Sequence, residues 1–261
     1  MMRSLWVSKS GMEAQQTQLD HISQNLANSA TNGYKQSHAV FEDLMYQNLR
    51  QSGASASDQT TLPTGLQAGL GVRAVATSRQ FTQGTLQQTG NNLDVAVQGK
   101  GFFEVTLPDG TTGYTRDGAF QVDNQGRIVT NNGMPVNTQG ATIPANATSV
   151  TIANDGTISV TVPGTTTPQR IGQFQLSDFI NPNGLDPKGQ NLFAETAASG
   201  APQSGNPNND NLGSLSQGFV ETSNVNVVQE LVTMIQTQRA YEMNSKAITT
   251  SDQMLQRLSQ L

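Results

Sequence analysis

Apolar positions at the two ends of the chain follow a helical repeat, and those in the middle follow an alternating one. Over residues 226–261, Met234, Tyr241, Ile248 and Leu255 recur every seven residues, and Ala240, Ala247, Met254 and Leu261 form a second line beside them. One face of a helix therefore carries most of the apolar groups, with Leu231 and Leu258 counted among its contact residues. Neither Gly nor Pro interrupts the run, and Asn226 with Gln229 three positions on has the form of a capping box. At about 1.5 Å per residue the segment predicts a rod of roughly 50 Å. The opposite end answers it: Leu5, Met12, Leu19 and Leu26 keep the same seven-residue spacing, with Ile22 on the neighbouring line. Matching stripes at both termini predict a coiled coil that closes the chain on itself, with everything between inserted into the pair.

Neither stripe is clean. The line taken as complementary carries Gln238, Ser245 and Asp252 in the C-terminal helix, and Lys9 with Gln15 or Gln16 in the N-terminal one. Each large apolar side chain contributes about 1.5–3 kcal/mol on burial against ordering costs of similar size, so a seam interrupted this often is marginal alone. One reading is an ordinary packed pair in a monomer. The other is that the helices complete their burial against further copies and are weakly ordered in the free subunit.

From Val72 to about Thr196 the period becomes two. Residues 73–77, 93–97, 102–107, 119–122, 149–152, 157–161 and 173–176 read as strands, and Phe102, Phe103, Tyr114 and Phe120 as core. Asp109-Gly110, Asp117-Gly118, Asn132-Gly133, Asp155-Gly156 and Asn183-Gly184 punctuate them, each tolerating the positive φ of a tight turn; the hairpin 150–160 is the plainest. Residues 39–50 read as a short amphipathic piece, and 51–71 as a polar stretch that is either disordered or used to reach something. The expected class is α+β: terminal helices paired as a coiled coil, with an antiparallel all-β domain inserted. The expected division is residues 1–35 with 222–261 as the helical domain, 36–78 as an extended connecting and bracing segment, and 79–221 as the β-rich domain, including a flexible loop at 197–213.

Charge and chemistry narrow the function. Charged residues make up 13% of the 261, about half the usual share, and the net charge is −5. With no basic cluster, neither nucleic acid nor an anionic membrane is an expected partner. There is no cysteine, hence no disulfide or thiolate metal site. The first eleven residues hold an apolar run of only Leu5-Trp6-Val7, too short for a cleavable signal core, and no stretch approaches a membrane span. The chain then stays in the cytoplasm or leaves by a route that reads no cleaved signal. His21 and His38 are the only neutral-pH bases, and His21 beside Ile22 reads as structural. Asp109, Asp117, Asp123 and Asp155 stand near turn glycines, where a turn role suffices. Gly69-Leu70-Gly71-Val72-Arg73-Ala74 matches a dinucleotide-binding spacing but follows a loop and precedes a β-branched run. No catalytic residue, cofactor or metal is expected.

Residues 23–35 contain Asn25-Leu26-Ala27-Asn28, then Thr31, Gly33, Tyr34 and Lys35, which resembles the N-L-A-N-x-x-T-x-G-[FY]-K signature of the axial rod and hook proteins of bacterial flagella. Residues 95–103, 114–118, 218–226, 238–242 and 252–258 resemble the same family, whereas 160–215 are generic. The wording of 57–67, with Gln59, Thr60, Thr61, Leu62, Pro63 and Gly65, is similar to the segment that sets distal-rod members apart from hook members and that is thought to brace neighbouring subunits. The resemblance implies a structural subunit polymerising helically into a rigid hollow shaft that transmits torque from motor to hook and lets exported subunits pass. It implies signal-peptide-independent export through the flagellar type III apparatus to a place in the rod crossing the periplasm. The implied partners are further copies of itself, proximal rod proteins, the hook protein and the L- and P-ring proteins. A proximal rod or hook paralogue, and a secreted β-rich adhesin with a helical stalk, remain as alternatives.

Overall fold

In the computed structural model the described residues are 2–51, 55–57, 60–61, 64–164, 167–209 and 211–259, and the side chains of 2–3, 55–57, 60–61 and 258–259 are left aside. The chain divides into two compact units. The first joins Met1–Ala27, Ser37–Ser78 and Asn226–Leu261; the second joins Asn28–Gln36 and Arg79–Val225.

In the first unit two long helices, α1 (Met2–Ala27) and α2 (Val227–Ser259), pack on one another. Asn226 caps α2: its Oδ1 accepts from the Val228 and Gln229 amides at 3.1 and 3.3 Å. The contact line differs from the expected one. Met234, Ile248 and Leu255 are half-buried, but the line that accompanies them is Glu230, Thr237, Asn244 and Ser251, while Gln238 and Asp252 are exposed. The reason is steric. A Cβ added to Gly11 of α1 would stand 3.1 Å from Asn244 Nδ2, so small residues let the helices approach. Hydroxyls there return their protons to their own helix: Thr237 donates to the Thr233 carbonyl at 2.8 Å and Ser251 to that of Ala247 at 2.8 Å. Polar side chains can thus occupy a helix contact without a stranded donor.

The first strand, Ser37–Asp43, packs on α1 and pairs with Val72–Arg79. His21 lies between the hydroxyls of Ser37 and Thr77, at 3.4 and 3.5 Å. Beyond this pair the chain runs out and back as a nested ladder. Gln47–Arg50 pairs antiparallel with Leu66–Ala68, and Ser55–Ser57 with Thr60–Thr61. The described parts of 39–50 and of the polar stretch after it thus pair as strands of a hairpin arm. Serine, threonine and alanine have little side chain to bury, but their backbones pair as well as any. The glycine-rich match at 69–74 leads into a strand and not a helix: Val72 onward is extended, and Gly71, at φ +116°, lies so close to Ser10 that a Cβ would fall 2.1 Å from its Oγ.

The second unit is antiparallel β. Six strands lie in the order Asp186–Gly189, Leu192–Ala194, Thr112–Thr115, Phe102–Thr106, Leu176–Asp178, Gln203–Gly205. Ser149–Ile152, Thr157–Thr161 and Gln169–Gln173 form a second sheet, with Val150 opposite Val160 across the expected hairpin. Alternation along Phe102–Thr106 feeds two cores. Phe103 and Val105 join Val95, Val97, Phe120, Ile158, Phe174 and Leu176, while Phe102 joins Tyr114, Phe179, Leu185 and Phe193. The strand expected at 173–176 is divided. Gln169–Gln173 and Leu176–Asp178 belong to different sheets, and Phe174 between them is buried, stacked on Phe120 at 5.8 Å between centroids. The loop expected at 197–213 contributes the edge strand Gln203–Gly205. The turn glycines also separate. Gly110, Gly133 and Gly156 have positive φ, but Gly118 is required by crowding, since a Cβ there would meet the Val95 carbonyl oxygen at 1.7 Å.

Burial, reinforced by the nearby carboxylates of Glu195 and Glu104, pushes the Tyr114 hydroxyl up to about 12 from 10.0. Between these values the folded chain holds a proton that the unfolded chain has released, so stability falls as pH rises through this window and the contribution is fully present below pH 10.0. Urea unfolding at pH 9, 10 and 11 should therefore show a steeper alkaline loss for the wild type than for Tyr114→Phe; parallel losses would contradict the assignment.

Candidate assembly surface and chain clasp

Burial sorts the helical residues into a seam and an open face. In α1, Leu5, Met12, Leu19 and Leu26 are half-buried and Ile22 is buried. In α2, Met234, Ile248 and Leu255 are half-buried, whereas Tyr241 and Leu231 are exposed; the side chain of Leu258 lies outside the described set. A different stripe faces outward. Val228, Leu231, Val232 and Ile235 stand at i, i+3, i+4 and i+7, and Val228 is 72% and Ile235 51% exposed. Trp6 and Val7 on α1 and Met243 and Met254 on α2 are exposed as well. Heptad counting passed over most of this stripe, although the density of branched residues in 227–235 signalled it.

The arm adds a second exposed apolar surface in Met45, Tyr46, Leu49 and Leu66, with Met45 84% exposed. Thr60 and Thr61 pair near its tip, and Gly65 is exposed beside Leu66–Ala68. Gln59, Leu62 and Pro63 lie outside the described residues.

The signature residues divide between the two units. In the first, Asn25 near the end of α1 is buried and exchanges two hydrogen bonds with the Ser37 backbone, at 2.8 and 3.0 Å. Its Nδ2 also reaches Glu230 Oε1 at 3.3 Å. Glu230 is buried in the first turn of α2, where a carboxylate suits the helix dipole. Leu26 is half-buried and Ala27 exposed. In the second unit Asn28 and Thr31 form a turn, with Thr31 Oγ1 donating to Asn28 Oδ1 at 3.2 Å. Gly33, at φ +68°, passes so close to the 116–117 backbone that a Cβ would meet the Asp117 nitrogen at 2.6 Å. Its N–H donates to the Glu221 carbonyl at 2.8 Å, and Tyr34 and Lys35 follow, both buried.

Lys35 ends in a buried charge cluster. Its ammonium donates to Glu221 Oε1 at 2.5 Å and to the Thr82 carbonyl at 2.8 Å. The Gly84 amide donates to the same Oε1 at 2.9 Å, and Arg116 Nη1 stands 3.6 Å from Glu221 Oε2. Arg116 Nη2 donates to the Gly99 carbonyl at 2.5 Å. Burial holds Lys35 below its ordinary value despite the pull of Glu221, and it lowers the Arg116 guanidinium likewise. Two cations thus share one carboxylate, away from solvent. Glu221 also pins the incoming strand through its backbone, so one residue clasps segments 33–35, 82–84 and 116 together. From the sequence, 114–118 and 218–226 were legible as family-like stretches, but nothing in one dimension pairs Lys35 with residues 81 and 186 positions downstream.

Three family models match in sequence order: "Flagella basal body rod protein" over residues 5–35, "Flagellar hook protein FlgE/F/G D1 domain" over 96–160, and "Flagellar basal body rod FlgEFG protein C-terminal" over 216–261. Over its whole length the chain is 57% identical to the whole of the flagellar basal-body rod protein FlgG of Buchnera aphidicola from Acyrthosiphon pisum. It is 48% identical to FlgG of Caulobacter vibrioides and 41% to that of Bacillus subtilis 168, each covering 100% of this chain and 99% of the relative. The chain belongs to the FlgG family of flagellar basal-body rod proteins. It is a structural subunit of the distal rod, not an enzyme. Among the described residues no helix is long and apolar enough to cross a membrane. Each of the three family segments supplies one charge to the clasp: Lys35, Arg116 and Glu221.

The unequal charge count in this FlgG-family clasp sets an order of effects. Lys35→Met leaves the Arg116–Glu221 pair balanced, whereas Glu221→Gln strands two buried cations. The second variant should lose roughly 3–5 kcal/mol and the first clearly less. Denaturant titration of both decides it, and the reverse order would overturn this account.

Proposed function

We propose that this subunit polymerises helically with copies of itself, using the outward face of α2 together with Trp6 and Val7 of α1, so that the terminal helices complete their burial as a coiled-coil inner layer. The observation that carries this reading is the Val228–Leu231–Val232–Ile235 stripe, apolar and open in the single chain. Its exposed side chains retain roughly 3–6 kcal/mol of unrealised burial between them. A heterologous contact repeated by one screw operation gives an open tube, and a tube of interlocked rods is stiff in torsion and hollow. Such a shaft carries torque from motor to hook and leaves a lumen for exported subunits. The hairpin arm, with Met45, Tyr46, Leu49 and Leu66 outward, braces a neighbouring copy and keeps the shaft straight, and Thr60, Thr61 and Gly65 of the rod-stiffening set Gln59, Thr60, Thr61, Leu62, Pro63 and Gly65 are its described members.

On this reading the helical inner domain comprises 1–35 and 222–261, with 36–78 as the brace and 79–221 as the outer domain. The axial neighbours are proximal rod proteins below and the hook protein above, the outer surface runs within the L- and P-ring proteins, and delivery is by the flagellar type III export apparatus.

Ile235→Asp and Val228→Asp alter the open face without entering the intramolecular seam. Each should raise the concentration needed for polymerisation more than about tenfold while leaving the monomer folded. Electron microscopy and sedimentation read the polymer, and normal yields from both would refute the open face as the contact. Circular dichroism supplies a companion test: helix content should rise on assembly, and equal helicity in monomer and polymer would exclude ordering coupled to contact.

A further inference from the structure

The β-rich unit contains a cavity of about 260 Å³ beside the clasp, walled by Phe81, Phe102 and Phe179 and reached by Arg116, Lys100 and Asp178. The informative wall is Arg116. Its side chain is 5% exposed and lies over the Phe102 ring at 5.5 Å. Nη2 donates to the Gly99 carbonyl at 2.5 Å and Nη1 to that of Val97 at 3.4 Å, but Nε–H finds no acceptor among the described residues, and Glu221 Oε2, 3.6 Å from Nη1, accepts no hydrogen bond there either. Leaving a buried, charged donor unmatched is unfavourable, and an acceptor entering the cavity relieves it.

Three properties define that acceptor. Among the lining residues Arg116 and Lys100 outnumber Asp178, so a single negative charge is favoured. Asp178 on the wall opposes a second one, which disfavours phosphate. The phenylalanines and Ile180 at the mouth, 81% exposed, ask for an apolar body, and the volume limits that body to about the size of one large side chain.

We propose that this cavity binds a monocarboxylate carried on a short aromatic or branched aliphatic body, with Arg116 Nε–H and the Lys100 ammonium as its donors. The source is a free organic acid.

The test uses the full-length, ¹⁵N-labelled subunit in its monomeric state, following the Nε–H resonance of Arg116 during titration with phenylacetate, phenylacetamide and inorganic phosphate. Phenylacetate should give a saturable shift, with the amide and phosphate about tenfold weaker or without effect. Lys100→Ala and Phe81→Ala, which leave the Lys35–Glu221–Arg116 contacts in place, should each weaken phenylacetate severalfold. No saturable shift, equal responses to acid and amide, or indifference to both substitutions would overturn the proposal. Binding to the monomer does not depend on polymerisation, so failure of the assembly reading would leave this result standing.

Discussion

The carboxylate of Glu221 is the constraint on which the β-rich unit depends. It lies out of contact with water, with a lysine and a backbone amide on Oε1 and an arginine 3.6 Å from Oε2. A buried anion tolerates very few arrangements of its partners. Lys35 and Glu221 are almost the whole length of the unit apart in sequence, so their pairing fixes where its first and last segments lie relative to one another. The apolar core supplies most of the stability of this unit, yet a core of Val, Ile and Phe accepts many neighbouring registers. The clasp accepts one, and Gly33 enforces it by leaving no room for a Cβ against residues 116–117.

The helical unit is built on the opposite principle. Its seam interleaves partly buried Leu, Met and Ile side chains with small and hydroxylated residues whose hydroxyls bond within their own helix, so α1 and α2 approach closely. The larger apolar groups of the first turns of α2 are left outside. The sparse charge of the chain suits such a face, because covering a surface that carries many ions would require desolvating them.

Much of this was legible in one dimension. The seven-residue repeats announced both helices, Asn226 announced the start of α2, and the Asp155-Gly156 hairpin appears with Val150 opposite Val160. Those features are local, decided by periodicity, a cap or a turn. What the sequence left open and what was misread share a cause. For residues 51–71 disorder and a segment that reaches out both stood, because alternation is invisible where side chains are uniformly small and polar, although the backbone pairing of the described residues needs no side chain. Phe174 looked like the middle of a strand, when it is the point at which the chain leaves one sheet for another across a core that exists only in three dimensions.

By itself the sequence determined the class of the protein: helices at the ends, antiparallel β between, no catalytic constellation, and a family signature at each terminus. Local propensity and pattern suffice for that, because each element is specified within a few turns or strands of itself. Tertiary structure alone decided which line of each helix became the seam and which stayed open. It also decided that Lys35, Arg116 and Glu221 form one buried cluster, and that Arg116 keeps a free donor beside an apolar cavity. These depend on distances between residues remote in the chain, and burial and charge pairing are properties of where atoms meet.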